Sequence, residues 1–337
     1  MKTLVCTEPG NFEYKKMDRP RLENGRSIIR VRRIGICGTD LHAFEGTQPY
    51  FSYPRILGHE LAGELTEFDN APGFKIGETV SFIPYLNCDN CIACRTGKPN
   101  CCANLKVCGV HLDGGMAEYL SVPSSSLLHG DGLDFDELVL VEPLAIGAHG
   151  IRRAAVLRDE FVLVMGAGPI GLGTIEFARL KGAKVITLDV NEQRLEFCKR
   201  KLNIDYAINA LATDVVEQLQ EITHGDMPTV VIDATGSLRA INNAFQYMAH
   251  GGRYILIGLQ KGDISFSHPE FHKKEGSLMS SRNATRQDFE YVISSIKSGQ
   301  IMPKQFITHR VQFDEVKEEF KNWLDPANGV IKATIEL

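Results

Sequence analysis

Between Phe161 and Gly171 the chain passes from five apolar residues, Phe161-Val162-Leu163-Val164-Met165, straight into Gly166-Ala167-Gly168-Pro169-Ile170-Gly171. A short apolar run bounded by glycine reads as a buried strand, and a proline just past the second glycine reads as the first turn of a helix. In a strand–turn–helix setting each glycine has a separate task. Gly166 permits the tight turn, Gly168 lets backbone approach a pyrophosphate, and Gly171 lets helix and strand pack closely. Pro169 sets the backbone of the first helical turn, and the unpaired amides from Ile170 onward then face the phosphates of a dinucleotide. Further apolar runs at 184–188, 229–232 and 253–257, with a helix carrying Ile170, Ile175, Phe177, Ala178 and Leu180, extend the unit into a doubly wound parallel sheet. Asp189 ends the second run eighteen residues beyond Gly171. A carboxylate there accepts from ribose hydroxyls and repels a 2′-phosphate, so NAD is expected over NADP, with the nearby Arg194 pulling the other way.

The residues before about 145 have another texture: short β-rich runs such as Ser27–Val31 and Glu78–Ile83, broken by Gly, Pro and Asn. A chain of 337 residues exceeds what one core usually serves, so two domains are expected. After about 285, helical patterns at 288–297 and 315–323 and a strand at 330–335 suggest a tail that returns to the first domain. The fold class is therefore α/β: a β-rich domain joined to a parallel-sheet domain.

Cys88, Cys91, Cys94 and Cys102 follow C-x2-C-x2-C-x7-C, which can bend four thiolates around one tetrahedral zinc with no open position. Cys101, beside Cys102, leaves the fourth ligand open. A second concentration of donors lies in Cys37-Gly38-Thr39-Asp40-Leu41-His42, read as a turn, followed by Gly58-His59-Glu60 and the distant Glu142 in Val141-Glu142-Pro143-Leu144. A catalytic zinc takes three protein ligands and keeps one position open, and Cys37, His59 and a glutamate can supply them. Such a metal makes an alcohol acidic near neutrality, the condition for losing a hydride to a nicotinamide.

Taken in order, the Cys37–His42 segment, Gly58-His59-Glu60, the four-cysteine lobe, Val141-Glu142-Pro143-Leu144 and the glycine loop resemble the zinc-containing medium-chain dehydrogenases over nearly the whole chain. The resemblance implies a GroES-like catalytic domain, 1–145 and 286–337, with a structural zinc lobe at about 85–105, and a Rossmann NAD-binding domain at 146–285. It implies two zinc ions per subunit, one catalytic and one structural. The Glu-Pro-Leu-Ala setting of Glu142 is similar to the sorbitol and threonine dehydrogenase branch, in which Glu60 and Glu142 can exchange as third ligand, and Glu142 is taken here as the ligand. By the same resemblance Thr39 takes the substrate proton, His42 passes it to solvent, and Asp40 orients His59.

The stretches 48–54, 109–115 and 271–285 resemble the hexonate 5-dehydrogenases, which implies L-galactonate or L-gulonate as substrate. An aldonate needs a cationic fork for its carboxylate and polar groups along its chain, and Arg282, His111 and Asn283 offer such a set. Two readings stay open beside this one: a dehydrogenase of a neutral polyol, sugar or amino-alcohol, and an NAD-binding sensor or scaffold without chemistry. A net charge of −5 gives no reason to expect nucleic acid, and the first thirty residues hold no apolar run, so a cytoplasmic protein with no membrane partner is expected. A homodimer or homotetramer is expected, with a sheet-edge strand near Tyr254 as the pairing surface.

Overall fold

The computed structural model describes residues 1–49 and 51–337. Tyr50, part of the 48–54 stretch singled out above, lies outside the described residues. The chain divides into two compact units, Met1–Pro143 with Thr285–Leu337, and Leu144–Ala284.

The first unit is built on a mixed sheet whose strands run, side by side, Ile307–Gln312, Lys332–Glu336, Arg26–Gly35, Glu60–Phe68, Thr79–Phe82 and Leu127–His129. Tyr119–Pro123 also pairs with Arg26–Gly35. All these pairings are antiparallel except that between the two C-terminal strands. The tail is therefore an integral part of this unit, hydrogen-bonded along Arg26–Gly35 through Thr334 opposite Gly35 and Glu336 opposite Arg33. It also closes the core: Phe320 packs on Phe12 and Phe44 with ring centroids 4.8 and 5.0 Å away, and Trp323 lies against it at 5.2 Å. Residues 37–42 are not a turn, as their polarity suggests, but the cap and start of the helix Gly38–Glu45, whose buried face is Asp40, Ala43 and Phe44.

The second unit carries a six-stranded, all-parallel sheet. Across the sheet the strands lie in the order Tyr206–Asn209, Lys184–Asp189, Phe161–Met165, Val230–Asp233, Arg253–Leu256, Ser277–Ser280. In chain order this is 3-2-1-4-5-6, so the strand order reverses beside Phe161–Met165, and the glycine loop sits at that switch point. The expected strands at 184–188, 229–232 and 253–257 are present within a residue or so. Tyr254 is corrected: its strand is interior, the side chain is fully buried, and the edge belongs to Ser277–Ser280. No helix among the described residues is long and apolar enough to cross a membrane.

Candidate active site and metal centres

The first cluster forms where two loops of the first unit converge. Cys37 caps the helix Gly38–Glu45, and His59 and Glu60 stand at the start of Glu60–Phe68. The donor atoms of Cys37, His59 and Glu60 all lie within 4.8 Å of one another, with His59 and Glu60 buried. Asp40 ties the two loops together: its carboxylate accepts from the backbone N–H of Cys37 at 2.9 Å and of Gly58 at 3.1 Å. Its nearest approach to His59 Nδ1 is 3.9 Å, and that nitrogen is buried with no hydrogen-bond partner. Asp40 thus positions the backbone of both donor loops by hydrogen bonds, and reaches the imidazole only through its charge.

The field around this cluster favours a cation. Burial pulls His59 down, but the Cys37 thiol and Asp40 outweigh it and hold the imidazole well above its ordinary value. Lys332 is held up in the same way, burial being outweighed by Glu60 and Cys37. Its ammonium donates to both Glu60 oxygens, at 2.8 and 2.7 Å, and to the Ile36 carbonyl at 3.0 Å. Glu142, also buried, accepts from the Tyr85 hydroxyl. Burial pushes the Glu142 carboxyl up to about 7, with His59 acting against it and Glu60 with it. The compact donor cluster therefore contains Glu60, while Glu142, expected as the third ligand, lies outside it and is engaged by Tyr85. A half-buried thiol, a buried imidazole with an unpartnered nitrogen and a buried carboxylate make a donor set that fits zinc.

Thr39 is half-buried on the same helix, and His42 is exposed, with Nδ1 3.5 Å from Glu45 and 3.3 Å from Thr47 Oγ1. His111 accepts the Val107 N–H on Nδ1 at 3.1 Å, which leaves the proton of a neutral ring on Nε2. His111 belongs to the first unit, whereas Arg282, exposed, and Asn283, in a left-handed conformation at φ 55°, belong to the second.

The four-cysteine lobe is held between the paired strands Tyr85–Leu86 and Lys106–Val107. The sulfurs of Cys88, Cys91, Cys94 and Cys102 lie within 4.8 Å of one another, so Cys102 and not Cys101 joins the set. Cys88 with Cys102 and Cys91 with Cys94 approach to 3.4 and 3.5 Å. Backbone amides point at the sulfurs, Cys88 N and Asn104 N at Cys102 and Ala103 N at Cys91. The amides of Asn90 and Cys91 bring the Cys88 thiol down to about 6, as a thiolate ligand requires.

In the second unit, Gly168 caps the helix Pro169–Leu180 with Pro169 in its first position. A Cβ on Gly171 would stand 1.8 Å from the Gly166 carbonyl oxygen, so only glycine lets the helix start this close to the strand. Asp189 accepts from Ala167 N at 2.6 Å and from Asn191 N at 2.8 Å, one bond per oxygen, leaving a lone pair on each for a ribose. Arg194 Nη1 lies 3.8 Å from where a Gly168 Cβ would be, a cation poised over the phosphate loop. Sequence reasoning missed Lys332, Tyr85 and the exposed Val190 and Leu211 at the same end of the sheet as Asp189. For the last two an apolar residue just past a strand end was the available signal. For Lys332 there was none.

Comparison with known proteins agrees with both halves of this picture. The alcohol dehydrogenase GroES-like domain model matches residues 23–131, and the zinc-binding dehydrogenase model matches residues 169–298. The chain is 42% identical over 336 residues to L-galactonate-5-dehydrogenase of Escherichia coli K12, covering 99% of this chain and 98% of that one. It is 32% identical over 334 residues to L-threonine 3-dehydrogenase of Pyrococcus horikoshii, covering 95% and 94%. An Escherichia coli CFT073 alcohol dehydrogenase (rspB) solved with NADH superposes with a TM-score of 0.93 at 30% identity, covering 100% and 99% of the two chains. The chain belongs to the zinc-containing medium-chain dehydrogenase family, in its sorbitol and threonine dehydrogenase-like branch, and is a zinc- and NAD-linked alcohol dehydrogenase.

Proposed function

We propose that the chain oxidises the C5 hydroxyl of a hexonate, L-galactonate or L-gulonate, passing the hydride to NAD and the hydroxyl proton to solvent. The observation that carries the chemistry is the unpartnered, buried nitrogen of His59 inside a thiol–imidazole–carboxylate cluster. Cys37, His59 and one of Glu60 or Glu142 hold the catalytic zinc; Cys88, Cys91, Cys94 and Cys102 hold the structural one. When bound, the metal supplies the acidity that frees the substrate hydroxyl of its proton, and the nicotinamide accepts the hydride. Thr39 receives the proton and His42, at the exposed surface of the same helix, passes it to water. Gly166, Gly168, Pro169, Ile170 and Gly171 cradle the pyrophosphate with Arg194 above it, and Asp189 accepts from the ribose. Val190 and Leu211 offer apolar surface to the adenine. Two domains follow this division of labour, 1–145 with 286–337 for chemistry and 146–285 for NAD.

The substrate class is supported by the end-to-end similarity to the Escherichia coli L-galactonate-5-dehydrogenase and by the exposed guanidinium of Arg282, which suits a carboxylate. His111 and Asn283 are assigned to the polyol hydroxyls. The test is NADH formation by zinc-loaded protein with L-galactonate, L-gulonate, sorbitol and L-threonine. A site built for a charged group rejects analogues lacking it by about 100-fold or more, so kcat/KM for a hexonate exceeds that for sorbitol by that margin. Arg282→Ala removes the preference by raising KM for the acids alone. Comparable turnover of sorbitol or threonine assigns the protein to a neutral substrate.

A further inference from the structure

We propose that Lys332 is a positioning residue that holds the Glu60 carboxylate beside the catalytic metal and keeps it from closing the metal's open position. The proposal rests on the reading above that Cys37 and His59 hold that metal, and of the two glutamates it takes Glu142 as the third ligand.

Lys332 is 2% exposed and Glu60 is fully buried. An ammonium has three donors, and all three are spent here: two on the Glu60 oxygens and one on the Ile36 carbonyl. Fully satisfied and enclosed, the pair cannot swing without breaking a bond to a buried charge. The sheet builds the place for it. Gly35 lies opposite Glu60 on one side and opposite Thr334 on the other, and a Cβ on Gly35 would stand 2.1 Å from Glu60 Oε2. A bare position in Arg26–Gly35 thus lets a lysine from the C-terminal strand meet a glutamate two strands away.

A buried ion pair is a poor way to stabilise a fold, because desolvation offsets the attraction and well-packed apolar residues do as well. Its position suggests another use. Cys37, Glu60 and Glu142 are three anions around one dication, an excess of one negative charge in a buried site. Lys332 levels that count. It also occupies both oxygens of a carboxylate that otherwise lies within reach of the metal's other donors. Freed from Lys332, Glu60 would take the position the substrate hydroxyl needs.

The test uses full-length protein with cobalt at the catalytic site and zinc retained in the cysteine lobe. Lys332→Met is expected to alter the cobalt visible band as Glu60 becomes a ligand and to lower kcat by about 10–100-fold, the range for residues that orient metal ligands, while the Kd for NAD stays unchanged. Lys332→Met combined with Glu60→Gln restores the band, and Lys332→Arg keeps it. An unaltered band in Lys332→Met, or no recovery in the double variant, overturns the proposal. Should Lys332→Met fail to fold, Glu60→Gln alone decides: an unchanged band supports a glutamate held off the metal, and a shifted band overturns it. Cys37→Ser reports separately on the underlying reading, since retention of the full cobalt band there shows that the metal site itself is misassigned.

Discussion

At the scale of single residues the donor cluster depends on Asp40, which is 1% exposed and joins the Cys37 and Gly58 amides. Asp40→Ala leaves the buried Gly58 N–H without an acceptor, at a cost of about 1–3 kcal/mol, also releases the part-buried Cys37 N–H, and lets the two donor loops part. The expected outcome is a lowered urea midpoint together with a catalytic-zinc affinity reduced about 10–100-fold by chelator competition; unchanged zinc affinity would leave Asp40 a purely structural group. Cys37→Ser is expected to abolish turnover while NAD binding, followed by quenching of protein fluorescence, stays intact. The donors themselves were legible, because Cys, His, Asp and Glu packed into short segments seldom occur by chance. Their division was not. Which oxygen meets which proton depends on Tyr85 and Lys332, the latter 272 residues from the Glu60 it grips, and no local pattern pairs positions so far apart.

Elements show the same contrast. Interior strands such as Phe161–Met165 are read easily, since both faces are buried and every residue is apolar. The two edge strands, Tyr206–Asn209 and Ser277–Ser280, went unread because an edge is half solvated and its composition approaches that of a loop. The segment Gly38–Glu45 was likewise hidden, its buried face containing a charged residue, Asp40, whose partners are backbone amides. The cofactor loop supports a sharper expectation. Asp189 has one accepting site per oxygen left for a ribose, so Asp189→Asn, which keeps the shape and removes the charge, should lower kcat/KM for NAD about 10-fold and raise that for NADP. If the unaltered protein uses both cofactors equally, Arg194 outweighs Asp189 and the assignment of NAD to that carboxylate fails.

Across the whole molecule the chain leaves its first unit at Pro143 and returns at Thr285, so the ends of a long excursion must be held in one core. Phe12, Phe44, Phe320 and Trp323 supply the apolar part of that closure, strand pairing with Arg26–Gly35 supplies its hydrogen bonds, and an ionic network adds to both. Asp136 accepts from Arg33 at 2.7 Å and from Arg310, which stand on an N-terminal and a C-terminal strand, and both arginines also approach Glu336. Burial raises the Asp136 carboxyl, but the two guanidinium groups outweigh it and leave the carboxyl below its ordinary value. A carboxyl depressed in the folded state binds its proton more readily when unfolded. Its contribution is therefore complete above the unfolded value of ~3.9 and is lost as pH falls through the lower folded value. With Asp136 only 20% exposed, Asp136→Asn should lower unfolding free energy at neutral pH by about 1–2 kcal/mol. The gap between the two proteins, measured by urea unfolding, should close as pH falls below the ordinary carboxylate range. Acid also strips zinc from the cysteine lobe, but it does so in both proteins, so the difference isolates Asp136. A gap that persists unchanged into that acid range would show that the side chain stabilises the junction by packing and neutral hydrogen bonding, and that the charge of Asp136 contributes nothing to holding the tail.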